Sequence, residues 1–283
     1  MLDWSVIAPL LRVPHNRRDY IWPSHKHGTH VAGIIAANMD PKDSKRKLIG
    51  MCPGIQLYDI RVMDGDGAGD EFNILAAIQF VRWMNAQRDG IVVHGINLSL
   101  SMKHEVDSYA CGQTPVCDAC ERLVSEGTVV VTCAGNQGQA IFKAKEYGEV
   151  VGFRTVNITD PGNAENVITV GSTHRNRPHS FGVSYFSSKG PTGDGRMKPD
   201  LVAPGEKIVS TGFNDEPERM DGTSMAAPHV SGAAALLMAK HRELIGQPKR
   251  VKEIICKNAT DLGREKYFQG AGMLDVLRAI QAV

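Results

Sequence analysis

The chain has 283 residues, 42% of them hydrophobic and 22% charged, and a formal net charge of +1 at pH 7. That balance is ordinary for a folded protein with a sizeable core, and it excludes recognition of nucleic acid or of an anionic membrane by bulk charge. No apolar stretch reaches the ~18 residues that a bilayer-spanning helix needs.

The opening Met1-Leu2-Asp3-Trp4-Ser5 lacks the basic region followed by an apolar segment that marks a signal peptide. Residues 27–37 are small and apolar nearly all round, which predicts a buried helix rather than an amphipathic one. The most polar stretch, 39–47, reads as a solvated loop after it. An apolar run at 56–62 predicts a strand, and 73–88 predicts a helix, with Ile74, Ala77, Ile78, Val81 and Trp83 at roughly helical spacing. Further apolar runs at 91–100, 128–132, 167–170 and 201–202 predict strands, and 118–126 a helix. Short runs of this kind suit strands buried on both faces of a parallel sheet. Residues 224–239 predict a second buried helix. Strands and helices alternate, so the expected fold class is α/β. With no internal repeat, low-complexity tract or long linker, residues 1–283 are expected to form one domain.

Six cysteines, at 52, 111, 117, 120, 133 and 256, are too few for a disulfide scaffold in a chain of this length. Cys111, Cys117 and Cys120 lie close together, and a surface loop closed by a Cys111–Cys117 bridge is one expectation. A zinc site there lacks a nameable fourth ligand. Cys52 and Cys133 sit in apolar surroundings and read as buried small hydrophobes.

The chemistry is concentrated in three segments. Gly222-Thr223-Ser224-Met225-Ala226-Ala227-Pro228-His229 sets a serine at the start of a helix, where its own backbone N–H and the helix dipole can hold an oxyanion. A serine hydroxyl is a weak nucleophile and needs a general base, for which His27-Gly28-Thr29-His30-Val31-Ala32-Gly33 offers a candidate. Ala134-Gly135-Asn136-Gln137-Gly138 lies between them. Together, in the order His, Asn, Ser, these segments resemble those of the subtilisin-like serine proteases, the subtilase family. Phe186-Ser187-Ser188-Lys189-Gly190-Pro191, the run from Lys198 to Gly205, and Gly270-Ala271-Gly272-Met273-Leu274-Asp275 extend the resemblance over most of the chain.

The resemblance implies a three-layer fold with a mostly parallel central sheet, and peptide-bond hydrolysis through an acyl-enzyme on Ser224. His27 is then the general base, and Asn136 the side-chain donor of the oxyanion hole, whose loss in this family costs ~100 to 1,000-fold in turnover. His30 reads as structural. Substrate contacts are implied at Gly67, Ala68 and Gly69 on one edge and at Leu98, Ser99, Leu100 and Ser101 on the other, with Ala134 and Gly135 near the first specificity pocket. Ser101 stands where the family usually has glycine. Met225, beside the nucleophile, is expected to be sensitive to peroxide.

No metal ligand is assigned: His25, His27 and His30 lack the acidic residue of a zinc hydrolase. The acidic run from Asp64 to Asp70 has Leu75 where a calcium loop needs glutamate. As a substrate edge, that run, with Glu71, would favour basic side chains upstream of the cut. No cofactor is required, and a structural calcium is left open without a position. The implied partner is a peptide or protein substrate, with no nucleic acid or membrane, and a monomer is expected.

The family also places an aspartate on an early strand, followed by Ser-Gly or Thr-Gly, and no such motif exists here. Asp19 is too close to His27, and Asp3 has neither the glycine nor the preceding chain. The expectation is that the first strand and any signal or propeptide are missing, with secretion if an upstream signal exists and a cytoplasmic location otherwise. An impaired subtilase fold that binds peptides, and an esterase or acyl transferase, are the alternative readings.

Overall fold

The computed structural model describes residues 3–11, 23–39, 47–64, 66–87, 90–102 and 104–283. Their elements run α1 (Trp4–Leu11), α2 (His27–Ala36), β1 (Asn38–Met39), β2 (Leu48–Ile49), α3 (Glu71–Ala86), β3 (Gly95–Leu98), α4 (Pro115–Ser125), β4 (Val129–Cys133), β5 (Gln139–Ala144) and β6 (Gly148–Phe153). There follow β7 (Ile168–His174), α5 (Pro178–Phe181), β8 (Leu201–Glu206), β9 (Ile208–Thr211), β10 (Pro217–Met220), α6 (Thr223–Lys240), α7 (Pro248–Lys257), α8 (Lys266–Gln269) and α9 (Val276–Gln281). The loop expected at 39–47 falls largely outside the described residues, as does Asp19.

The centre is a four-stranded, all-parallel sheet in the order β3-β4-β7-β8. Every residue of β4 is buried, and its side chains divide by the period of two that strands impose. Val129, Val131 and Cys133 join Ile168, Val170, Leu201 and the small face of α6 in one core, closed from outside by α7 and α9. Val130 joins the other, formed by α1, α3 and α4 with Trp4, Ile78, Val116 and Leu123. Helices thus cover both faces of the sheet, and the fold is three-layered α/β.

Local chemistry starts the outer helices. Asp70 caps α3 by accepting from the Asn73 N–H at 2.8 Å, and Thr114 precedes Pro115 at the first turn of α4. On the inner side α2 packs against α6 and β9. Gly33 makes that approach possible: a Cβ there would lie 2.1 Å from Thr211 Oγ1 and 2.4 Å from Ser210 Oγ.

Three expectations need correction. Residues 56–62 form no strand; Ile60 and Val62 pack beside the α3–α4 core while Leu57 and Tyr58 are exposed, and the free edge of β3 does not pair with them. An apolar run becomes a strand only where a partner takes its N–H and C=O groups. The strand expected at 91–100 shrinks to β3, because the Val92 and Val93 N–H groups turn to Asn85 Oδ1, at 3.0 and 2.8 Å. The Cys111–Cys117 bridge is absent, all six cysteines being free. Cys117 points into the α4 core, whereas the Cys111 sulfur lies against Gly193.

Candidate active site

Ser224 and His27 open the first turns of α6 and α2, two helices packed on each other. The α6 start is tightly built. Thr223 is fully buried, and both its N–H and its hydroxyl donate to Asn136 Oδ1, each at 2.9 Å. The Gly135 N–H in turn donates to Thr223 Oγ1 at 3.2 Å. With its carbonyl oxygen engaged twice, the Asn136 carboxamide is oriented and its Nδ2 is left as a donor. A Cβ built on Gly222 would lie 3.4 Å from Asn136 Nδ2 and 3.6 Å from the Ser224 nitrogen, so both donors flank one point. Thr223, which lies inside the motif but to which the sequence alone assigns no part, is the residue that orients Asn136.

The walls come from separate segments. Ser99 follows the end of β3; its hydroxyl donates to the Ser224 carbonyl at 2.8 Å, and Ser224 Oγ donates weakly to the Ser99 carbonyl at 3.4 Å. The Leu100 carbonyl accepts from Cys133 Sγ at 3.2 Å, tying the segment from Leu98 to Ser101 to β4. Ala134 is pinned by its N–H to the Val170 carbonyl and by its own carbonyl to the Thr159 N–H. Gly135, at φ 104°, has Thr159 and Ser188 so close that a Cβ would meet them at 2.6 and 2.8 Å.

The segment with Gly67, Ala68 and Gly69 stands at the histidine end instead. Asp64 Oδ1 accepts from the Asp66 and Ala68 N–H groups at 3.0 and 2.9 Å, folding a tight turn, and Gly67 lies against the His25 ring. Asp64 thus serves the turn and Asp70 the cap of α3, and among the described residues no group of three His, Cys, Asp or Glu side chains is arranged to hold a metal ion.

His27 is half-buried. Burial lowers its pKa, and the neighbouring His25 and His30 lower it further. No carboxylate stands among those influences, and no hydrogen bond joins His27 to Ser224 among the described residues. Asp3 is engaged elsewhere, accepting from the Ser5 N–H and hydroxyl at the start of α1. His30 is fully buried, with Nε2 at 3.2 Å from the Ile208 carbonyl and 3.1 Å from that of Glu218, where it braces α2 against β9 and β10. Met225 is also buried, in a small cluster with Val31, Ile34 and Ile208.

A family model described as the subtilase family, peptidase S8, matches residues 14–273. The chain belongs to the subtilase family. Among curated relatives, subtilisin DY of Bacillus licheniformis is 31% identical over 255 residues, 90% of this chain and 77% of that protein. The major intracellular serine protease of Bacillus subtilis (strain 168) is 31% identical over 265 residues, 91% of this chain and 70% of the relative. Serine protease AprX of the same strain is 28% identical over 287 residues, 94% of this chain but 60% of the relative. This subtilase thus shares with proteins named as serine proteases most of its length.

Proposed function

We propose that this subtilase is a serine endopeptidase acting through an acyl-enzyme on Ser224. The carbonyl of an extended substrate lies in front of Gly222, the Ser224 hydroxyl attacks it, and His27 takes the proton. The negative charge that develops on the carbonyl oxygen is met by the Ser224 N–H and by Asn136 Nδ2. His27 then delivers its proton to the leaving amine; water, deprotonated by the same imidazole, releases the acid and restores the serine. Substrate main chain runs beside Leu98, Ser99, Leu100 and Ser101, with Gly67, Ala68 and Gly69 on the other side. The observation that supports this reading is the placing of Asn136 Nδ2 and the Ser224 nitrogen at 3.4 and 3.6 Å from one point at the start of α6.

A second reading, an impaired subtilase fold that binds peptides, is favoured by one observation: no carboxylate orients His27 among the described residues. Labelling with a fluorophosphonate separates the two. The protease reading expects labelling of the native chain, its loss in Ser224→Ala, and hydrolysis of peptides as well as esters. A native chain that is not labelled, yet binds peptides, supports the second reading. Labelling accompanied by ester turnover alone points to an esterase.

A further inference from the structure

Pro228 lies inside α6. It has no N–H, so the helical bond to the carbonyl four residues back, that of Ser224, cannot form, and the proline ring crowds that same carbonyl away from the helix axis. The Ser224 carbonyl is instead taken by a side chain from a different element: Ser99 Oγ donates to it at 2.8 Å. The direction of that bond is set by its surroundings. Asn97 Nδ2 donates to Ser99 Oγ at 2.8 Å, which leaves the Ser99 hydroxyl hydrogen for Ser224. Asn97 Oδ1 in turn accepts from Ser231 Oγ at 2.8 Å, so the relay leaves α6 at Ser224, crosses to β3 and its exit, and returns to α6 two turns later.

We propose that Ser99 is a positioning residue for the nucleophile. Its hydroxyl supplies the hydrogen bond that Pro228 withholds, and thereby fixes the peptide plane that follows Ser224 together with the first turn of α6, on which the alignment of the Ser224 hydroxyl and N–H depends. The inference rests on the reading of Ser224 as nucleophile. It assigns to the Ser99 side chain a task separate from any main-chain contact that the same residue makes with substrate.

The test is a cycle between Ser99→Ala and Pro228→Ala, since an alanine at 228 brings back an N–H that can bond to the Ser224 carbonyl. Reaction with a fluorophosphonate is followed to saturation, so that the limiting rate and the half-saturating concentration are read separately. Ser99→Ala is expected to lower the limiting rate about 10-fold while the half-saturating concentration stays within about 2-fold. In the double variant the limiting rate is expected to return to within about 3-fold of that of Pro228→Ala alone, and Ser99→Thr is expected to keep it. Ser231→Ala, which weakens the relay that directs the Ser99 hydroxyl, is expected to give a smaller loss than Ser99→Ala, one that Pro228→Ala also relieves. An unchanged rate in Ser99→Ala, or a double variant as slow as Ser99→Ala, overturns the proposal. The same cycle read by urea midpoint is independent of turnover: a native chain that is not labelled refutes Ser224 as nucleophile, whereas absent coupling in urea refutes Ser99 as the substitute donor.

Discussion

The starts of α6 and α2 carry Ser224 and His27, the two central side chains of the candidate site, and they are built to different standards. At α6 the first turn is held by Asn136, Gly135 and Ser99, each from a segment remote in sequence. At α2 the residue before the helix, Lys26, makes no capping bond, and the His27 N–H reaches only His25 Nδ1 at 3.4 Å. Side chains of β9 brace the α2 backbone from behind, Ser210 on the His30 carbonyl and Thr211 on that of Thr29, without touching the imidazole. Stabilising an oxyanion needs fixed donors, and that half is fixed. Proton transfer needs an oriented ring, and the orientation of His27 is not enforced by any hydrogen bond from the described residues.

The contrast can be broken by experiment, and the largest effect belongs to the fixed half. Asn136→Ala is expected to lower kcat by ~100 to 1,000-fold with little change in KM, the magnitude being the family's; steady-state kinetics on a peptide substrate check it, and a loss confined to KM would contradict a donor that acts in the transition state. Thr223→Val frees Asn136 Oδ1 from one of its two donors and is expected to cost about 10-fold in kcat, with the fold retained by circular dichroism.

At the α2 end the sharper probe is pH. Burial first, and His25 and His30 next, push the His27 pKa down, so the acid limb of kcat/KM should lie below the ordinary histidine value of about 6.5. A limb above that value would reveal a carboxylate beside the ring. The same displacement has a stability consequence. His27, His30 and His229 all have lowered pKa values, with burial the leading cause, so the unfolded chain binds more protons between the folded and unfolded values. Stability is therefore full above about pH 6.5 and declines as pH falls toward the folded values, which urea midpoints at neutral and mildly acidic pH would register. The smallest effect is expected from Lys26→Ala, which removes the surface ion pair to Glu218 and should change stability by under ~1 kcal/mol.

Much of this was legible in the sequence. Small, apolar residues on all sides of 27–37 and 224–239 anticipated α2 and α6 as buried helices, and the valine run anticipated β4, because both patterns report burial directly. The pattern at 56–62 misled because apolar character says nothing about whether a neighbouring strand is present to pair. The ribbon of β5 and β6 escaped notice for the opposite reason. Its Ile141, Val151 and Phe153 are exposed, so no buried periodicity marks it. Cysteine spacing gave a distance along the chain but no side-chain direction, which is why Cys111 and Cys117 face apart. Thr223 holds a residue 87 positions earlier, and Ser99 one 125 positions later; such partnerships exist only after folding.

Gly222 sits at φ 154°, where side chains are rarely accommodated, with the Asn136 amide and the Ser224 nitrogen both within reach of where its methyl group would be. On the proposed mechanism, an alanine at 222 would seat its methyl group where the substrate carbonyl oxygen binds and so exclude the substrate from within the chain. On that same mechanism, the missing carbon of glycine is what keeps the seat open.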